Sequence, residues 1–552
     1  MKRSLFILTL FCLLCSGINA QQKKDPLTAV FDSIIARQFS ANETGVSVLV
    51  SKKGNIIYHK ASGMANLELG VPMQIDNVSR IGSITKQFTA VAILQLMEQG
   101  KLRLQDEITQ FIPGYPTQGH KITIEHLLTH TSGILDFTGI KNNAERSVID
   151  YTPVQMIDYF KDQPLRFAPG TKWEYSNSGY FLLGYIIEKI TGNTYGKYLE
   201  ENFFRPLGMK HSFYANDSSI IKNRATGYTF NRSNKSFENA RYISMTQPYA
   251  AGSIQSTVED LFIWNQAVQA NKLISKETLK RAMTRYKLTD SIETNYGYGW
   301  RLGYNLESPT AWHGGLINGS MSVATYLPKE EVFIAVLTNC DCKSPIGVAE
   351  KLAALAAGKN IDHTPISLED TLLRDYTGIY ENAKGQERVI SITDKGLSFQ
   401  AGKGPKSTIY SFEKDKFFFK EDPMTTLAFS RNKSNNVDRL IIHTRTENEV
   451  WSKTGKSITT PVEIKVSADI LQTYVGEYEI NPHFKFAITL EENRLYLEAP
   501  GQGKVEIFAE ADNKFYLKEN GAQLEFIKDE SGKIIKSILT QGGRQTDATK
   551  VK

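Results

Sequence analysis

Two rhythms of apolar residues divide the chain. Up to about residue 360, stretches such as Phe88 to Gln99 and Tyr180 to Thr191 carry apolar positions at helical spacing. They alternate with short apolar runs such as Val46 to Val50 and Val332 to Leu337, bounded by Gly and Pro turns. That pattern predicts mixed helices and strands. After Asp362-His363-Thr364-Pro365 the rhythm changes to short alternating segments, among them Val389 to Ile392 and Leu440 to Ile442, separated by Gly, Asn, Asp and Lys. A period of two predicts an all-β C-terminal third.

That third repeats itself. Tyr376-Thr377-Gly378-Ile379-Tyr380-Glu381 recurs as Tyr474-Val475-Gly476-Glu477-Tyr478-Glu479, and Lys416 to Lys420 recurs as Lys514 to Lys518, both at an offset of 98. A constant offset argues for two copies of one unit, joined near Lys456 to Glu463, where Ser, Thr and Pro cluster. Short strands over roughly 90 residues per copy suit a small antiparallel barrel, whose closure removes exposed edges. The aromatics are expected to fill the barrels rather than to contact ligand.

Composition narrows the class. Of 552 residues, 41% are hydrophobic and 22% charged, which supports packed cores and not disorder. The 65 Lys and Arg and 59 Asp and Glu are interspersed, so the excess of +6 builds no field for a polyanion, and nucleic acid is not an expected partner. Lys2 and Arg3, the apolar run Leu5 to Leu14 and the small residue Ala20 predict a signal peptide at 1–20 and export to the periplasm or beyond. Leu14 before Cys15 speaks against a lipid anchor. No later run reaches the roughly 18 apolar residues of a membrane span. The expected organisation is then a mixed domain at 21–360 and barrels at 366–456 and 464–552.

Cys340 and Cys342 are the cysteines beyond the leader; their spacing allows either a strained disulfide or a reduced pair at a strand end. The nine His form no H-E-x-x-H or Cys/His cluster, and the chain has no G-x-x-x-x-G-K, G-x-G-x-x-G or G-x-S-x-G. Metal hydrolase, nucleotide enzyme and α/β-hydrolase readings lose support.

Chemistry gathers instead at Ser83. The segment Arg80 to Phe88 leads into apolar positions 88, 91, 94 and 97, placing Ser83 near the start of an amphipathic helix. Residues three apart share a helix face, so Lys86 can set its amine beside the Ser83 hydroxyl and activate a weak nucleophile. The spacing alone is unspecific, since Ser219-x-x-Lys222, Ser411-x-x-Lys414 and Ser430-x-x-Lys433 share it. Two further elements add context: Tyr175-Ser176-Asn177 in a turn before a helix, and His313-Gly314-Gly315-Leu316 before the strand Ser320 to Tyr326, where two glycines let a substrate approach an edge strand.

In this order the three elements resemble the serine β-lactamase and penicillin-binding superfamily, in particular the branch of class C β-lactamases, D-Ala-D-Ala carboxypeptidases, D-aminopeptidases and esterases. Supporting stretches are Gly100 to Asp106, Ile122 to Gly133, Phe167 to Gly170 and Ala251 to Thr257, so the likeness spans about residues 25 to 358. It implies a β-lactamase-like α/β (α+β) domain with an antiparallel sheet and a helical subdomain, followed by two lipocalin-like barrels as in D-aminopeptidases. It also implies roles. Ser83 attacks an acyl carbon, Lys86 and Tyr175 share the proton work, and Asn177, His313 and Gly315 bind substrate. The backbone N–H groups of Ser83 and Leu316 form the oxyanion hole. No metal or organic cofactor is expected.

An ammonium within about 4 to 6 Å is expected to ease ionisation of the Tyr175 phenol. His313 departs from the Lys-Thr-Gly or Lys-Ser-Gly of β-lactamases, which weakens the expected recognition of a substrate carboxylate. The favoured substrates are amides or short peptides of D-residues, cell-wall fragments among them, and then esters. β-Lactamase or carboxypeptidase activity and a non-catalytic penicillin-binding sensor are the alternatives. His130 and Ser132 are read as structural, and Trp300 and Trp312 as packing at least as much as pocket lining. Gly501 to Lys504 and Asn520 to Ala522 are the barrel loops that such relatives bring to the catalytic mouth, although a plain solvent turn is the better reading of each.

Overall fold

A computed structural model describes residues 26–215, 218–393, 396–402, 404–458, 463–482, 484–501, 503–518, 522–541 and 544–551. The leader at 1–20 lies outside them, as do Gln502, Asn520 and Gly521 of the two barrel loops. Gly501, Gly503 and Lys504 are exposed, and Lys504 pairs with Glu491 of its own barrel.

The elements that frame the site are α1 (Pro26–Ala36), β1 (Val46–Lys52), β2 (Asn55–Ser62), α2 (Thr85–Glu98), α3 (Asn177–Thr191), β3 (Arg301–Asn305), β4 (Ser308–Ile317), β5 (Ser320–Leu327), β6 (Val332–Thr338) and α4 (Ile346–Ala356). The strands form one antiparallel sheet in the order β3-β4-β5-β6-β1-β2. Its central strands are buried on both faces, which is why their sequences read as apolar runs. Val332, Ile334 and Val336 of β6 join one apolar cluster with Phe31 of α1 and Leu352 of α4, while Phe333, Ala335 and Leu337 join another with α2 and α3. The large helical subdomain packs on that second face.

Helix α2 departs from the amphipathic expectation. Every residue from Thr85 to Leu94 is buried, Lys86, Gln87 and Thr89 included. The polar positions persist because each finds a partner. Gln87 Oε1 accepts the Trp264 indole N–H at 3.3 Å, and the Thr89 hydroxyl lies 2.7 Å from the Tyr195 hydroxyl. A buried polar group is tolerated when bonded and costs about 1 to 3 kcal/mol when it is not.

The C-terminal third is two closed eight-stranded antiparallel barrels, spanning 378–453 and 476–550. The 98-residue repeat is structural to the atom. Tyr380 donates its hydroxyl to Tyr376 O at 2.7 Å, and Tyr478 donates to Tyr474 O at 2.8 Å. In both barrels these rings are buried with Phe417 and Phe429, or Phe515 and Phe526, as filling. Cys340 and Cys342 are joined as a disulfide.

The barrels are not merely appended. The loop after the strand Val437–His443 of the first barrel docks on the outer edge of the catalytic sheet, where Tyr304 N–H of β3 donates to Arg445 O at 2.7 Å. Arg445 also pairs with Glu350 of α4 at 2.9 Å, Arg285 donates to Thr446 O at 2.5 Å, and Met424 joins the apolar cluster under α4. Among the described residues, this loop and Met424 bring the first barrel against the catalytic domain.

Candidate active site

Ser83 sits in a 3-10 turn, Gly82–Ile84, that feeds directly into α2, and remains partly accessible. One turn on, Lys86 is fully buried. Its Nζ donates to Ser83 Oγ at 3.0 Å, Asn177 Oδ1 at 2.8 Å and Ala251 O at 2.8 Å. Burial holds the Lys86 pKa well below its ordinary value, with Arg301 pushing further down and Asp136 opposing.

The Tyr-x-Asn turn is pinned from two sides. Ser176 caps α3, its hydroxyl accepting Gly179 N–H at 3.4 Å, and its own N–H donates to Nδ1 of buried His130 at 3.1 Å. Asn177 therefore opens α3 facing Lys86, and its amide donates to Asp136 Oδ2 at 2.9 Å. Tyr175, on the other side of the turn, sets its ring centre 4.8 Å from Lys86 Nζ. The expected easing of its ionisation is not found. Burial raises the Tyr175 pKa, and the Ser83 hydroxyl and the charge of Arg301 only partly offset it. Desolvation outweighs the neighbouring cation, so the phenol holds its proton at neutral pH.

Strand β4 supplies the opposite wall. Its pairing with β3 stops at Trp312, so His313 to Ile317 form a free edge beside the turn that carries Ser83. Gly315 permits the approach: a Cβ there would lie 2.0 Å from Ile81 O and 2.4 Å from Ser322 Oγ, which itself donates to Ile81 O at 2.8 Å. Gly315 thus sets the spacing between β4 and the nucleophile turn, with Leu316 N next in line beside Gly82. The Leu316 side chain is 63% exposed at the mouth.

His313 lies differently from its expected place on the substrate-facing side. It is 1% exposed, with Nδ1 2.7 Å from Gly314 O and Nε2 2.9 Å from the Tyr296 hydroxyl. A carbonyl only accepts, so Nδ1 carries the proton and Nε2 accepts from Tyr296. Burial, with Lys86 and Arg301 nearby, holds its pKa well below 6.5. The imidazole is a neutral strut between β4 and the segment before β3.

Sequence reading missed the cation that faces this wall. Arg301, the first residue of β3, is ringed by Tyr175 at 5.4 Å, Trp312 at 5.8 Å, and Trp173 and Tyr296 at 6.0 Å. It makes no ion pair among the described residues. Asp136 was missed as well. Neither stands at a fixed spacing from Ser83; only the sheet and the 3-10 turn that Asp136 caps bring them in.

Ser83, Asn177, Ala251, Gly252, Leu316 and Ile317 line a cavity of about 660 Å³, which also holds Phe137 and Ile243. It is partly apolar, and of a size that suits a small molecule or a short peptide arm. Among the described residues no cluster of His, Cys, Asp and Glu could hold a metal ion, and no helix is long and apolar enough to cross a membrane.

Comparison with known proteins follows the same outline. The beta-lactamase family model matches residues 31–359, and a domain of unknown function, DUF3471, matches 460–549, the second barrel. Over 551 residues the chain is 26% identical to penicillin-binding protein 4* of Bacillus subtilis (strain 168), covering 96% of this chain and 100% of that protein. Two solved structures are similar at 25% identity. The octameric penicillin-binding protein homologue from Pyrococcus abyssi superposes with a TM-score of 0.53 over 77% of this chain and 99% of its own. A D-stereospecific amidohydrolase from Streptomyces sp. superposes with 0.52 over 59% and 98%. The match runs through Ser83, Lys86, Tyr175 and His313 and takes in more than half of the sequence: the chain belongs to the β-lactamase family.

Proposed function

We propose that the protein is an exported serine hydrolase that works through an acyl-enzyme on Ser83, with amides or short peptides of D-residues as leading substrates and esters next. The observation that carries the reading is the buried Lys86 amine 3.0 Å from a solvent-accessible hydroxyl, its pKa driven down by desolvation. Once neutral, the amine accepts the Ser83 proton, reversing the direction of that hydrogen bond, and the oxygen attacks the acyl carbon. Tyr175, protonated and with its ring 4.8 Å from the Lys86 amine, is the group that passes a proton to the leaving group. The backbone N–H groups of Ser83 and Leu316 take the oxyanion, a contribution worth about 3 to 4 kcal/mol per donor in well-formed sites. Asn177 has its Oδ1 on Lys86 and its amide on Asp136, so it fixes the amine as well as lining the acyl side. Water then releases the acyl group. The similarity to a D-stereospecific amidohydrolase supports the D-residue preference. The basic and apolar N-terminal residues and the Cys340–Cys342 disulfide support export.

Arg301 favours a second reading, D-Ala-D-Ala carboxypeptidase or β-lactamase activity. The strand lacks the family's Lys, yet the Arg301 guanidinium, which makes no ion pair among the described residues, lies on the Tyr175 side of the site and would suit a substrate carboxylate. Mass spectrometry of the group trapped on Ser83 across D-amino-acid amides, D-Ala-D-Ala peptides, aryl esters and penicillins separates the readings. Turnover of amides or esters supports the first, and release of a terminal D-residue or opening of penicillin supports the second. A permanent penicillin adduct with no turnover of anything would leave a sensor instead.

A further inference from the structure

Leu135, Asp136 and Phe137 are fastened to the first two residues of α3. Ser178 donates its hydroxyl to Leu135 O at 2.7 Å and accepts Phe137 N–H at 2.9 Å, and between these bonds Asp136 Oδ2 accepts the Asn177 amide at 2.9 Å. The other oxygen of Asp136, Oδ1, caps its own 3-10 turn by accepting Thr138 N–H at 3.0 Å.

This arrangement decides which way the Asn177 carboxamide lies. Its two ends are nearly equal in shape and differ in what they can bond: the oxygen accepts and the NH2 group donates. A carboxylate only accepts, so the NH2 end is held at Asp136 and the oxygen is left for Lys86, 2.8 Å from Nζ. The direction matters at the amine. A neutral amine has two N–H bonds and one lone pair. The oxygens of Asn177 and Ala251, each 2.8 Å away, take the two N–H bonds, and the lone pair is left for the Ser83 hydroxyl at 3.0 Å. A reversed carboxamide would instead donate to that lone pair and occupy the base.

We propose that Asp136 is a positioning residue for acylation: by clamping the NH2 end of Asn177 it directs the lone pair of Lys86 to Ser83. The inference rests on the hydrolase reading and adds to it the group that orients the base. The charge of Asp136 acts at the same place. Burial lowers the Lys86 pKa, Asp136 opposes the fall and Arg301 adds to it. The other groups facing the amine carry no charge at neutral pH. Tyr175 and Tyr180, with ring centres 4.8 and 5.6 Å from Nζ, are phenols whose pKa burial raises, and burial holds His130 and His313 well below 6.5.

Asp136→Asn and Asp136→Ala, assayed in the full-length protein on an aryl ester, separate orientation from folding. The asparagine keeps the cap by giving its oxygen to Thr138 N–H, so its own NH2 group faces Asn177 and reverses it. Alanine loses the cap but enforces neither direction. The expected result is a fall in kcat of about a hundredfold in Asp136→Asn and a smaller one, about tenfold, in Asp136→Ala, with KM less affected. The acid limb of kcat/KM moves to lower pH in both, because an anion that raises the pKa of the amine is gone. A role in holding the turn alone predicts the reverse order, since asparagine is a good cap and alanine a poor one, and leaves the limb in place. Either the reverse order or an unmoved limb overturns the proposal. If the wild type turns over no ester or amide and labelled penicillin does not reach Ser83, the hydrolase reading fails separately. NMR of lysine labelled at Cε, with Lys86 assigned from Lys86→Met, then decides the clamp: a Lys86 titration lower in Asp136→Ala than in the wild type, and lower again in Asp136→Asn, supports it, and any other order overturns it.

Discussion

At the scale of the residue, the site turns on which group can hold a proton at neutral pH. Ser83, Lys86, Tyr175 and Asn177 were legible in the sequence because three-residue spacing and a Tyr-x-Asn turn are local facts. Their proton affinities were not, because burial sets them. Desolvation pushes the amine down and the phenol up, so the pair divides into a base and an acid. Lys86→Arg is therefore expected to lose acylation as fully as Lys86→Met, by about a thousandfold or more, since a guanidinium cannot give up its proton. Labelled penicillin followed by mass spectrometry reads this, and a Lys86→Arg variant that still acylates would refute the assignment of the base. Arg301 helps to depress Lys86. Its removal lets the amine pKa rise, so the acid limb of the kcat/KM profile should move to higher pH in Arg301→Ala; a limb that stays in place removes that electrostatic role.

At the scale of the element, the end of β4 beyond Trp312 and the turn at Ser83 form one device, and Gly315 is its joint. Gly315→Ala places a methyl group 2.0 Å from Ile81 O, which only a shift of strand or turn can relieve. Overpacking of this kind costs about 1 to 3 kcal/mol and would carry Leu316 N away from Ser83. The expectation is a fall in kcat of tenfold or more with KM less affected, whereas Gly314→Ala, whose Cβ would meet Ser322 O at an ordinary 3.5 Å, is tolerated. Steady-state kinetics on one ester compares the two, and equal behaviour would count against the joint. His-Gly-Gly was visible in the chain, but its division of labour was not. His313 props the strand from within, Gly314 is permissive, and Gly315 sets the gap.

At the scale of the whole molecule, the first barrel is fastened to the catalytic sheet by a backbone bond at Tyr304 and by the Arg445–Glu350 pair. The pair is not simply favourable. Burial raises the Glu350 pKa to about 7 even though Arg445 pulls it down, and its second oxygen has no hydrogen-bond partner among the described residues. A carboxyl whose folded pKa lies above its unfolded value stabilises the fold below the unfolded value and loses that contribution as pH rises through about 7. Glu350→Gln should accordingly gain stability relative to wild type at pH 8 and change little at pH 5, the opposite of the result expected from a pair that holds the domains together. Denaturant midpoints at both pH values decide the sign. Gly303 admits the barrel loop, since a Cβ there would lie 2.2 Å from Arg445 O. The catalytic domain ending near residue 360 is thus in contact with a barrel that the sequence set out as a separate unit.

What the residues in order determined by themselves was everything carried by period and proximity along the chain. The change from helical to alternating rhythm, the 98-residue duplication, the serine and lysine one turn apart and the turn that bears Tyr175 and Asn177 all belong to that class. Only the tertiary structure decided the rest: an arginine from an edge strand beside the phenol, an aspartate behind the asparagine, a histidine buried rather than offered to substrate, and a barrel loop locked on the sheet. Those features depend on desolvation and on contacts between segments far apart in sequence, and neither has a period that a linear chain can display.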